Sequence, residues 1–138
     1  MTHITNTQFC ERFTSLYFSG QDLPKKLLDR HIVLISAILG LEHGRQYSEG
    51  ELNAELQKWA ILFGRRYGID HVTLRRYLID EKYIQRDSAG TAYQLGALET
   101  LPTTFDATLQ NLDLAALIAE AQAARELRKQ QYLQGGKQ

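Results

Sequence analysis

A chain of 138 residues with 43% apolar types can bury one substantial core and is too short for two, so one domain with terminal additions is expected. Apolar runs such as Ile32-Val33-Leu34-Ile35 fall far short of the roughly 20 residues that span a bilayer, and the first residues lack a basic-then-apolar export pattern, which predicts a cytoplasmic protein without a membrane segment. A single cysteine excludes an internal disulfide framework, and sixteen basic against sixteen acidic side chains exclude a uniformly cationic surface.

Thr5 and Gln8 have the form of a capping box, and Phe9, Phe13, Leu16 and Tyr17 recur behind it at helical spacing, predicting a short helix over residues 6–18. Cys10 sits beside Phe9 and Phe13 and reads as a small apolar residue of that face. Residues 19–22 break the helix. A second begins near Pro24, with Asp22 placed to cap it, and carries Leu28, Ile32, Ile35 and Leu39 as one core-facing stripe to about residue 41. Gly40 and Gly44 end it.

Ser48 and Glu51 form a second capping box, flanked by Tyr47 and Leu52 in the positions of a hydrophobic staple. Leu52, Leu56, Trp59, Ala60 and Phe63 continue one face, with Gly64 or Gly68 as the stop. Asp70 caps a further helix, residues 71–82, on which Leu74 and Leu78 point inward. At about 100° per residue, Val72, Thr73, Arg76 and Asp80 then face outward, with Arg75 on the flank. Residues 83–86 and 91–95 alternate with a period of two around Asp87-Ser88-Ala89-Gly90, a hairpin. Pro102 among Thr100, Thr103 and Thr104 marks a loop. From Asp113 to about Leu133 a final helix carries Leu117, Ala121, Ala124 and Leu127, ahead of a Gly135-Gly136 tail expected to fray.

Three helices followed by a hairpin are the order of a winged helix-turn-helix, so the fold class is α+β, mostly α. The expected organisation is an N-terminal helical extension over 1–22, a winged-helix domain over 23–97, and a linker with a C-terminal helix over 98–138.

Four motifs resemble a known family: Leu23-Pro24-Lys25, the run from Gly44 through Asn53, the run from Asp70 through Asp80, and the run from Arg86 through Tyr93. In this order they are similar to the bacterial domain-of-unknown-function family 2087. That resemblance implies a winged-helix module found alone or attached to transcription regulators, without an established biochemical activity. The run Thr73-Leu74-Arg75-Arg76-Tyr77-Leu78 is also similar to the recognition helix of sugar-responsive winged-helix repressors. Residues 59–69 make a longer connection than usual between the second and third helices of such a domain.

The charge distribution points the same way. Residues 58–86 hold seven basic side chains (Lys58, Arg65, Arg66, Arg75, Arg76, Lys82, Arg86) against three acidic ones, a local excess of four. A helix fits the major groove of B-DNA and a hairpin can lie along its backbone. On that reading helix 71–82 and wing 84–95 contact double-stranded DNA: Thr73 and Arg76 read base edges, and His71, Arg75 and Arg86 meet phosphates, with Arg65 and Arg66 on the same cationic stretch.

Arg76 and Asp80 also have the i, i+4 spacing of an ordinary surface ion pair, whereas Ile79 stands four residues after Arg75. Asp80 on the groove side would repel phosphate, so affinity per subunit is expected to be modest and a homodimer through the C-terminal helix is expected to double the contacts. The same helix could instead fold back over the first. The competing reading is a winged-helix protein-interaction module that binds no DNA.

No nucleophile–base set, paired carboxylates or phosphate-cradling glycine loop is legible, so no enzyme and no cofactor are expected. The histidines at 3, 31, 43 and 71 lack ligand spacing, and no metal is expected; His31, between core-facing positions, reads as a satisfied histidine at the core's edge. Asn53, beside the capping Glu51, is expected to bond to neighbouring backbone.

Overall fold

Helix α2, Leu27–Ile38, lies at the centre of the core, because nine of its twelve residues are buried rather than one stripe of four. The computed structural model describes residues 3–19, 22–97, 101 and 103–135, without the Arg66 side chain. The expected break at Gly20-Gln21, the loop at Thr100 and Pro102, and the tail after Gly135 fall outside the described residues.

Helix α2 starts three residues later than the sequence suggests, at an Lys26 N-cap with no side-chain cap. What anchors its first turn is Asp29, not Asp22. The buried Asp29 carboxylate accepts three hydrogen bonds of 2.9–3.2 Å from Arg12 of helix α1, Asn6–Ser19, and its negative charge suits the N-terminal end of the helix dipole. Helix α1 opens as expected, with Thr5 Oγ1 accepting from the Gln8 amide, and buries Phe9, Phe13 and Leu16. A two-residue parallel pairing of β1, His3–Ile4, with β5, Thr104–Phe105, ties this end of the chain to the segment leading into the last helix.

Strand β2, Gln46–Ser48, precedes helix α3, Glu49–Trp59, whose capping box forms in full: Ser48 Oγ accepts from the Glu51 amide at 3.1 Å and Glu51 accepts from the Ser48 amide at 3.0 Å. These bonds, with Arg45 at 2.9 Å, hold the Glu51 carboxyl below the usual carboxylate range. The chain then widens into a π-helical turn, Ala60–Gly64, before one last turn of helix α4, Arg65–Tyr67, stops at Gly68 in the left-handed conformation. That turn accounts for the long connection after Trp59. An extra residue per turn offsets the drift a plain α-helix would give between positions eight apart, so Trp59, Phe63 and Tyr67 share a face. Trp59 stacks on Tyr67 at 6.2 Å between ring centroids, and Phe63 meets Phe13 and Tyr17 of α1 edge-on.

Helix α5, His71–Asp80, leads into strands β3, Ile84–Arg86, and β4, Ala92–Leu95. The hairpin takes β2 as a third strand, giving an antiparallel sheet in the order β2-β4-β3 with Tyr47 opposite Tyr93 and Arg86 opposite Tyr93 on the other side. A short 3₁₀ segment, Ala107–Asn111, and helix α6, Leu114–Gly135, complete a mixed, mostly helical architecture. Among the described residues no helix is long and apolar enough to cross a membrane.

This core encloses polar contacts as well, among them Trp59 Nε1 donating to Ser36 Oγ at 2.9 Å and a pair at His31. His31 of α2 and Tyr83 are buried, and the His31 Nδ1 shares a hydrogen bond with the Tyr83 hydroxyl. Burial, the largest influence, lowers the His31 pKa from its ordinary 6.5; Glu81 opposes this and Arg30 adds to it. The native state therefore binds fewer protons than the unfolded state between the lowered pKa and 6.5, and stability falls as pH drops through that window. Urea midpoints at pH 7.5 and 5.5 check this: the wild-type midpoint should drop at the lower pH, and His31→Gln should reduce the difference.

Candidate nucleic-acid interface

Helix α5 is specified at its start by Asp70, whose carboxylate accepts from the Thr73 amide at 2.8 Å and is held below the usual carboxylate range chiefly by that bond. Leu74 and Leu78, both fully buried, seat one face against α2 and α3. The opposite face presents Val72, 43% exposed, with Arg76 and Asp80, both exposed. Helical periodicity alone predicted these three, and it also placed Thr73 outward, which is half-buried.

The hairpin turn is closed by its own side chains. The Asp87 carboxylate accepts from the Thr91 amide and hydroxyl at 2.8 and 2.9 Å, and Gly90 takes φ of 73°, a left-handed conformation that glycine adopts without strain. Arg86, at the base of this hairpin, is exposed. It lines one open cavity of about 280 Å³ with Val72, Arg75, Arg76, Ile79 and Asp80, so Arg76 of the helix and Arg86 of the hairpin converge although they lie ten residues apart.

Arg75 is used differently from the expectation. Its Nη1 donates to Glu49 Oε1 at 3.0 Å and to Asn53 Oδ1 at 2.7 Å, its guanidinium lies 5.9 Å from the Tyr93 ring centroid, and its side chain is only 19% exposed. Spacing along its own helix does not reveal these partners, because both acceptors belong to α3, which packs across α5. Asn53 likewise serves the Arg75 side chain rather than the neighbouring backbone. Conversely, among the described residues Arg76 forms no ion pair with Asp80 or any other carboxylate.

The remaining predicted residues are less concentrated. Thr73 is half-buried and its hydroxyl is turned to Asp70, beside half-buried His71. Arg65 is exposed on α4 and does not line the helix–hairpin cavity. The Arg66 side chain lies outside the described residues. Lys82 was missed as a candidate: exposed, with φ of 71°, it ends α5 and lines an adjoining groove with Gln85 and Arg86. A lysine at the junction of helix and hairpin was the available signal. Among the described residues no three His, Cys, Asp or Glu side chains are placed to hold a metal ion.

The family model described as an uncharacterised protein conserved in bacteria, DUF2087, matches residues 21–95, more than half of the chain. The chain belongs to this family. The four motifs of the sequence had pointed to it. The DUF2087 match ends on the last residue of β4, so it takes in α2 through α5 and the whole β2-β4-β3 sheet, and leaves α1 and α6 outside. Neither the curated proteins nor the solved structures contain a significant match to the chain.

Proposed function

We propose that this DUF2087 chain is a cytoplasmic DNA-binding regulator of transcription whose α2–α5 unit with its sheet acts as a winged helix, α5 entering the major groove and the β3–β4 hairpin lying along the backbone. The observation that carries this reading is the convergence of Arg76 and Arg86, neither of them held by a carboxylate among the described residues, on the open cavity between helix and wing. An arginine fork on a helix can take two acceptors of a guanine edge, and one on the wing can take a phosphate. Arg75 becomes a positioning residue, fixing the angle of α5 against α3 through Glu49 and Asn53.

Arg76, Lys82 and Arg86 face two carboxylates, Asp80 and Asp87, across the same surface, so attraction to phosphate is weak for a single subunit. With about two phosphates neutralised per subunit, the slope of log affinity against log salt should be about −2. Fluorescence anisotropy with a mixed-sequence duplex pool tests the proposal. Arg76→Ala/Arg86→Ala should weaken binding by about tenfold or more, from the loss of roughly 1–3 kcal/mol per base contact. Equal, salt-insensitive binding of the double variant and the wild type would remove it.

A second reading rests on exposed Val72 and on Ile79 and Asp80 in the same cavity, a mixture suited to a protein partner. Its mark would be a stoichiometric complex lost with Val72→Asp and unaffected by salt.

A further inference from the structure

We infer that a second copy of this chain packs antiparallel against the outer half of α6, about a two-fold axis passing near Ala124. The proposal stands apart from the DNA-binding reading and does not require it.

The beginning of α6 is packed into its own domain, and beyond it Arg125 reaches back to Phe18 of α1. Asp113 caps α6, accepting from the Ala116 amide at 3.0 Å; Ile118 is buried, and Leu114, Leu117 and Ala121 are half-buried, where the helix packs on α1. From residue 122 to residue 134 every side chain is exposed, among them Leu127 at 56%, Tyr132 at 80% and Leu133 at 54%. Thirteen residues rise about 20 Å. A helical stretch of that length is marginal alone in water, and most helices gain their stability from a packed face.

The outer half is complementary to itself in the antiparallel sense. Leu117, Glu120, Ala124, Leu127 and Gln131 recur at alternating spacings of three and four, which sets them along one seam, with Ala121 and Arg128 on its flank. When Ala124 meets Ala124 of the copy, Glu120 faces Arg128 and Leu127 faces Ala121, each contact occurring twice by symmetry. Parallel packing would instead bring Glu120 against Glu120 and Arg128 against Arg128. The alanines allow close approach at the crossing. Beside them, between α1 and α6, lies an open cavity of about 490 Å³ floored by Thr14, Phe18, Ala121 and Ala124, which the Leu127 side chain of the copy can fill. Arg125, its guanidinium 4.2 Å above the Phe18 ring, and Arg128 line the same cavity and border the space the leucine enters.

Sedimentation equilibrium of the full chain at about 1–100 μM tests the inference, since mass action makes a real dimer concentration-dependent in this range. The wild type should dimerise. Leu127→Glu, at an exposed position that costs the fold little, should raise the dimer dissociation constant by about tenfold or more. Glu120→Arg should weaken the dimer similarly, and Glu120→Arg/Arg128→Glu should restore it. In a Cys10→Ser background, Ala124→Cys should form a disulfide-linked dimer under oxidised glutathione. A monomer throughout, a dimer indifferent to Leu127→Glu, or a charge exchange that fails to restore association would overturn the inference; circular dichroism of each variant separates loss of pairing from loss of fold.

Discussion

Leu74→Ala is expected to destabilise the protein by about 3–5 kcal/mol, the range for deleting a fully buried leucine from a core that cannot collapse around the cavity. Leu74 has no exposed surface and sits on the inward face of α5. With Leu78 it is the main apolar link between α5 and the helices beneath, so its loss loosens the element that carries Arg76 as well as lowering overall stability. Val72→Ala, two residues away on the outward face, supplies the contrast: it should change stability by no more than about 0.5 kcal/mol. Urea unfolding of the two variants distinguishes an α5 seated on Leu74 from one oriented otherwise. Similar midpoints would contradict the packing described.

Gly64→Ala is the second large effect, and its sign is opposite to that of the same substitution nearby. A methyl group at Gly64 would stand 2.6 Å from the Ile69 carbonyl oxygen and 3.2 Å from the Trp59 ring. The first of these is backbone, so relief requires the Gly68–Ile69 turn to move. That turn is held by a 3.0 Å hydrogen bond from the Ile69 amide to the Gly64 carbonyl and sets the angle between α4 and α5. Overpacking of this kind costs about 1–3 kcal/mol, against which the better helix propensity of alanine returns under about 1 kcal/mol. At Gly50, in the first turn of α3, no atom lies within 4 Å of the added methyl, and Gly50→Ala should stabilise by about 0.4–1 kcal/mol. Thermal unfolding of the pair reads out both signs, and two stabilising outcomes would mean that the close approach at Gly64 is not present in solution.

The parts of this architecture that sequence reveals are those set by local chemistry. Ser48 with Glu51 and Asp70 ahead of His71 each fix a helix start within a few residues, and the alternation across 83–95 fixes the hairpin. The helix at 27–38 was harder, because burial on all sides erases the stripe by which an amphipathic helix is recognised, and because its first turn depends on Arg12, seventeen residues from Asp29. Strand β2 has three residues, too few to display a period of two, and exists only by pairing with β4. The π-turn left only an unexplained length after Trp59.

The candidate interface divides along the same line. The outward set on α5 followed from its periodicity, and Arg76 and Arg86 were both named from sequence, but their convergence depends on how the hairpin returns past the helix. The fate of Arg75 was hidden for a simpler reason: Glu49 and Asn53 lie more than twenty residues away, and no rule of spacing within one helix reaches them.

Regulation of transcription by this chain requires that the surface formed by α5 and the β3–β4 hairpin meets DNA. Backbone amide shifts recorded while a short duplex is titrated into the ¹⁵N-labelled protein test this most directly. The largest changes should fall in residues 71–80 and 84–92 and fade as salt is raised. Changes confined to other faces, such as the π-turn at 60–64, or no changes at all at low salt, would contradict it.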